Sequence, residues 1–95
     1  MPTLSAQVTY PVTLQDALIL PNGQSVGVIW EVHEEGVIAR LAEVPEVSSS
    51  GATVAEAKTN LVKAVQDELD FLRRHRIELS EPLRERLASL ERILG

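Results

Sequence analysis

Val26-Gly27-Val28-Ile29-Trp30-Glu31-Val32, His33-Glu34-Glu35-Gly36 and Val37-Ile38-Ala39-Arg40-Leu41 follow one another without a break, and the reading of this stretch decides the fold. In the first run β-branched and aromatic residues alternate with others, the pattern of a half-buried strand. Successive side chains on a strand point to opposite faces, so Val28, Trp30 and Val32 share one of them. Gly27 marks a bulge or a close backbone approach. His33 to Gly36 is a turn with a glycine available for a positive φ. Val37 to Leu41 is the returning strand.

Working upstream, Pro21-Asn22-Gly23-Gln24 is strong turn chemistry, so the apolar Ala17-Leu18-Ile19-Leu20 reads as a short strand. Residues 5–14 contain β-branched residues and Tyr10, but Pro11 cannot donate to a ladder. That stretch is expected to be an edge strand or an irregular lead-in. Downstream, Glu43-Val44-Pro45-Glu46 leaves the sheet and Val47-Ser48-Ser49-Ser50-Gly51 forms a short last strand. Two hairpins in series make an antiparallel meander of three or four strands.

Thr53-Val54-Ala55-Glu56 is a capping box: the Thr53 hydroxyl accepts from the Glu56 amide and the Glu56 carboxylate reaches back to the Thr53 amide. The helix it opens runs to about Arg74. Val54, Ala57, Leu61, Ala64, Val65, Leu69 and Leu72 recur at spacings of three and four and form one apolar stripe. Lys58, Lys63, Asp67, Glu68 and Asp70 fall mostly on the other side. Arg76-Ile77-Glu78-Leu79 alternates and is expected to add a short strand. Ser80 and Pro82 open a terminal helix. Its Leu83, Leu87, Leu90 and Leu94 form a second stripe, which packs either on the domain or on a second copy of the chain; dimerisation is the expectation here.

The fold class is thus α+β: an antiparallel meander on one long helix, then a short C-terminal helix. The 95 residues suit one domain, with residues 1–79 as the α+β body (β-β-β-α-β) and 80–95 as the amphipathic helix. A body this small buries a modest share of its surface, which makes a homo-oligomer, a dimer or larger, a reasonable expectation.

The formal charge is −5 and is unevenly placed: residues 1–52 hold Arg40 alone against Asp16, Glu31, Glu34, Glu35, Glu43 and Glu46. The eight bases and eight acids of residues 53–95 cancel. An acidic half disfavours phosphate backbones and suits a basic protein, because opposite fields steer encounter. Nucleic acid is therefore a weakly supported partner. Cysteine is absent, which excludes disulfides and thiolate chemistry and agrees with a cytoplasmic location. The N-terminus lacks the basic and apolar segments of a signal peptide. No apolar run approaches the ~18 residues of a membrane span, so no membrane association is expected.

No catalytic constellation emerges. Glu34, Glu35, Glu43 and Glu46 fall on turns and strand ends and read as a solvated acidic rim. His33 and His75 have no second histidine at ligand spacing. Arg73-Arg74-His75-Arg76 reads as a complement to the negative end of the helix dipole. Neither a cofactor nor a metal is called for. Trp30, Tyr10 and Phe71 are the only aromatics, and Trp30 is expected to fill the core between sheet and helix.

From Glu34 to Pro82 the chain resembles the HicB family of toxin–antitoxin antitoxins. Glu35-Gly36 matches the family's acidic-Gly hairpin turn, and Val37 to Leu41 its strand. Ala42-Glu43-Val44-Pro45 stands where the family has Pro-Asp-Leu-Pro. Ser50-Gly51-Ala52-Thr53-Val54-Ala55-Glu56-Ala57 matches its Gly-x-Thr-x-x-Glu-Ala helix start. Asn60, Ala64 and Leu69 fall at further family positions, and Glu81-Pro82 resembles the Pro-Glu-Pro that follows the helix. Glu46-Val47 replaces the usual Gly-Cys, and the lead through Leu20 is longer than usual. The resemblance implies a partial ribonuclease-H-like sheet with a helix across one face. It also implies an antitoxin role, binding a small basic ribonuclease toxin of the HicA type. For such a partner the expected contacts are the acidic residues Glu34, Glu35, Glu43 and Glu46 and the exposed sheet edge. Family members often carry a C-terminal DNA-binding module, of which residues 80–95 are too short to be a complete copy. The readings that stand beside the antitoxin are a homo-oligomeric structural or adaptor module and an operator-binding regulator.

Overall fold

The computed structural model describes residues 10–94. Its elements in chain order are β1 (Val12–Ile19), β2 (Ser25–His33), β3 (Gly36–Leu41), β4 (Ser48–Gly51), α1 (Val54–Arg74), a single 3₁₀ turn (Arg76–Glu78) and α2 (Glu81–Leu94). The four strands form one antiparallel sheet in the order β1-β2-β3-β4. The fold class is the α+β arrangement anticipated from the sequence.

The sheet is laid down by its turns. Leu20-Pro21-Asn22-Gly23 closes with the Gly23 amide donating to the Leu20 carbonyl at 2.8 Å, and Leu20 takes the Gln24 carbonyl at 2.8 Å. Gly23 has φ +88°, a value that a side chain disfavours. This is a three-residue hairpin loop, a turn followed by one left-handed glycine. It sets a register in which Leu14 faces Trp30 and Leu18 faces Val26. On β3, Ala39 lies opposite Trp30 and Val37 opposite Val32.

One face of the sheet is the core face. Leu18, Val26, Val28, Trp30, Val37, Ala39 and Leu41 are all buried there. Above them lie Ala57, Leu61, Val65 and Leu72 of α1, then Leu87 and Leu90 of α2. Each large apolar side chain withdrawn from water contributes about 1.5–3 kcal/mol before the entropy of ordering is subtracted. α1 packs chiefly on β3 and β4, and α2 packs on α1. β4 presents Ser49 and Gly51 to the core side, and these small residues let α1 come close. A Cβ at Gly51 would stand 2.5 Å from the Ala57 nitrogen. The Asn60 side-chain amide donates to the Ser50 carbonyl at 2.8 Å and fixes the helix along this strand.

α1 begins where the sequence places it. Thr53 is the N-cap, and its hydroxyl accepts from the Glu56 amide at 3.1 Å. The reciprocal arm differs from expectation: Glu56 Oε1 accepts from the Ala52 amide at 3.3 Å, one residue beyond Thr53. Val54, placed on the apolar stripe by spacing, is exposed. On the outer side of α1, Lys63 Nζ lies 2.8 Å from Asp67 Oδ2, one turn away.

Two expected elements are corrected. Residues 12–19 are one strand, not a lead-in and a separate short strand; Pro11 merely precedes it, and polar Gln15 and Asp16 are tolerated because the strand is an edge. Residues 5–9 lie outside the described part. Arg76-Ile77-Glu78 is a 3₁₀ turn and not a strand, so no strand follows α1. The Glu78 amide bonds to the His75 carbonyl at 2.9 Å, and Ile77 is 94% exposed while Leu79 is buried. A local hydrogen bond closes this short linker between the two helices into a turn.

Candidate protein-docking surface

The four acids singled out from sequence fall into two groups. Glu34 and Glu35 sit in the turn between β2 and β3, and Glu43 and Glu46 in the loop after β3; all four are exposed. The six residues of β3 separate the groups. At about 3.3 Å per strand residue this is roughly 20 Å, so they form no single rim. Glu43 approaches Arg92 of α2 at 3.9 Å. Glu43, Glu46 and Glu85 share a shallow groove of about 250 Å³ that Pro45 and Pro82 floor.

Arg40, the one base in residues 1–52, is committed within the sheet. It points to the face opposite the core, where Glu31 Oε2 lies 3.6 Å from its guanidinium and Glu31 Oε1 lies 2.6 Å from His33 Nε2. The Arg40 Nε is buried and meets no acceptor among the described residues. Ile29 and Ile38 stand half-buried on this second face, opposite the one on which α1 and α2 pack.

The long edge strand is the part sequence reasoning undervalued. Because the Leu20 amide donates to the Gln24 carbonyl across the hairpin, the residues that bond to β2 are those at even positions, Leu18, Asp16, Leu14 and Val12. Gly27, opposite Ala17, turns its carbonyl instead to the Ala42 amide at 3.0 Å. The amides and carbonyls of Thr13, Gln15, Ala17 and Ile19 therefore point away from the sheet. One of these amides is occupied: Ala17 donates to Asp16 Oδ1 at 2.7 Å. Neither helix packs extensively on β1, and Leu14, on the core face, is 50% exposed. The signal was present in the alternation of Val12, Leu14 and Leu18 with Thr13, Gln15 and Ala17.

The basic run at the end of α1 is spent inside the molecule. Arg73 Nε and an Arg76 terminal nitrogen both donate to Glu91 Oε2, at 3.0 and 2.8 Å. The hydrogen bond from Arg73 leads in holding the Glu91 carboxyl below the usual carboxylate range, and Arg76 adds to it. Arg86 donates to Glu68 Oε2 at 2.7 Å. These pairs clamp α2 onto α1, a role beyond the dipole complement read from sequence. The leucine stripe of α2 faces the same way: Leu87 and Leu90 are buried in the core and Leu83 and Leu94 pack partly against it. The stripe is thus turned into the body and is not an open dimer seam. His75 caps the C-terminal end of α1, with Nδ1 3.4 Å from Glu78.

Among the described residues no three His, Asp or Glu side chains gather where they could hold a metal ion. No helix among them is long and apolar enough to cross a membrane.

No family model, curated protein or solved structure matches this chain.

Proposed function

We propose that the chain is a non-catalytic protein-binding module, a HicB-like antitoxin or orphan relative that sequesters a small basic ribonuclease toxin of the HicA type. One observation carries the reading. From the first residue through Ala39 there is no Lys or Arg, and the first base, Arg40, is already paired with Glu31. Among the described residues, Glu34 and Glu35 at one end of β3 and Glu46 at the other have no cationic partner, and they stand beside the outward edge of β1. A cationic partner gains from this field in encounter rate and in selectivity. The bases of the helical half are mostly answered by acids of that half, which leaves the sheet side as the docking side.

The tagged chain expressed in its native host tests this, together with any short basic protein encoded beside it. Co-elution of that protein and stoichiometric suppression of its RNA cleavage are the expected results. A chain that retains no basic protein, and leaves the neighbouring protein's cleavage unaffected, refutes the antitoxin role.

A further inference from the structure

We infer that β1 is the pairing edge for an extended strand of a cationic protein, and that Asp16 is the residue that admits it. The inference rests on the reading of the chain as a binder of a basic protein and names the place of binding.

The backbone supplies the first argument. Thr13, Gln15, Ala17 and Ile19 direct their amides and carbonyls outward along a strand of eight residues, longer than most. Among the described residues no backbone group bonds to them, and such a row is a template for an added strand. The opposite edge, β4, has four residues and lies against α1, so it offers far less.

Charge supplies the second argument. The β1–β2 hairpin carries Asp16 and Glu31 and neither Lys nor Arg. Asp16 is exposed and folds its carboxylate onto the outward amide of Ala17 at 2.7 Å. In that position it blocks one rung of the edge. A second copy of this chain would bring another Asp16 and the same acidic hairpin, which opposes self-pairing. An incoming Lys or Arg draws the Asp16 carboxylate away, and the freed Ala17 amide then joins the ladder. The blocking group becomes the counter-ion of the proper partner.

Side chains supply the third argument. On the core face an added strand would flank Leu14, which the helices leave half exposed, so an apolar residue is favoured there. Asp16 lies two residues from Leu14 on the same face, so the partner strand is one that carries a cation and an apolar residue two positions apart on one face.

The test uses the full chain and an acetylated, amidated peptide Lys-Val-Thr-Lys-Thr-Val-Lys, in which a lysine stands between two valines on one face. Amide shifts and slowed exchange should centre on Thr13, Gln15, Ala17 and Ile19. The same peptide with alternate backbone nitrogens methylated should be inert, and its Glu-for-Lys counterpart should not bind. Gln15→Pro removes an outward amide and no rung to β2, so it should keep the fold and lose the peptide. Asp16→Asn should weaken the peptide several-fold. Equal binding of the methylated peptide, no binding at all, or shifts centred on Glu43 and Glu46 overturn the assignment. So does a concentration-dependent dimer that Gln15→Pro dissolves, which would give the edge to a second copy. A toxin inhibited equally by wild type and by Gln15→Pro keeps the antitoxin role and removes the edge. Pairing at β1 with no toxin inhibited does the reverse.

Discussion

Gly51 lies so close to Ala57 that a methyl group on its α-carbon would stand 2.5 Å from the Ala57 nitrogen. The contact joins the last strand to the first turn of α1, and neither side is a flexible side chain that can swing aside. Gly51→Ala must push the helix off β4 or break its first turn. Overpacking of this kind costs about 1–3 kcal/mol, and the rigidity of backbone here puts the expected loss near the upper end. Urea unfolding followed by far-ultraviolet circular dichroism measures it.

Thr53→Ala removes the hydroxyl that accepts from Glu56 and leaves an amide of the first turn without its side-chain acceptor. The expected loss is about 1 kcal/mol. Thr53→Ser should recover most of it, which separates the cap from the lost methyl group.

Trp30 is 4% exposed and is the only tryptophan, so its emission reports the core. Native emission should be blue-shifted and should move red on unfolding. Trp30→Ala is expected to cost about 3–5 kcal/mol, enough to unfold a small domain.

Glu91 connects α2 to Arg73 and Arg76, and its carboxyl is held below the usual range. A group whose folded pKa is depressed contributes stability that is complete above its unfolded pKa. That contribution is lost as pH falls through the folded value. Amide protection factors in α2, which correct for the intrinsic slowing of exchange in acid, should therefore fall with pH before those of the sheet, and in Glu91→Gln the acid-dependent step should disappear. A pH profile of α2 exchange that is identical in the two proteins would remove Glu91 from this role.

The two acidic groups make opposite predictions about a basic partner. Paired charge reversal of Glu34 and Glu35 tests one end of β3, and of Glu43 and Glu46 the other. The ends are too far apart for one small contact, so one pair should slow association markedly and the other weakly, with the difference fading in high salt. Stopped-flow association rates at two ionic strengths read this.

Much of the fold was legible because local rules and global needs agreed. Alternation from Val26 to Val32, the Gly-bearing turns and the Thr53 cap each specify one element, and the sheet brings them together in the anticipated order. Where the sequence misled, the decisive fact was tertiary. Pro11 drew attention away from a strand that starts at the next residue. Ile77 and Leu79 alternate like a strand, yet the short linker between the helices closes on itself as a 3₁₀ turn. The acids at 34, 35, 43 and 46 are near in sequence, but a strand's length intervenes. The leucines of α2 are spaced for a seam with any apolar partner, and spacing does not say whether that partner is the same chain. The edge groups of β1 were hidden for another reason: which backbone amides face outward depends on hydrogen-bond parity, which a hairpin loop sets and composition does not reveal.

The ion pair on the back of α1 has a practical result for anyone attaching this protein to a surface. Lys58 and Lys63 are its only lysines, and both lie on the exposed side of that helix. Asp67 raises the pKa of Lys63, mainly through its hydrogen bond, and so keeps less of that amine in the nucleophilic free-base form. Among the lysines, acylating reagents at mildly alkaline pH should therefore label Lys58 first. A fluorophore or sensor chip coupled there would sit behind the helical layer, with β1 turned toward the solution.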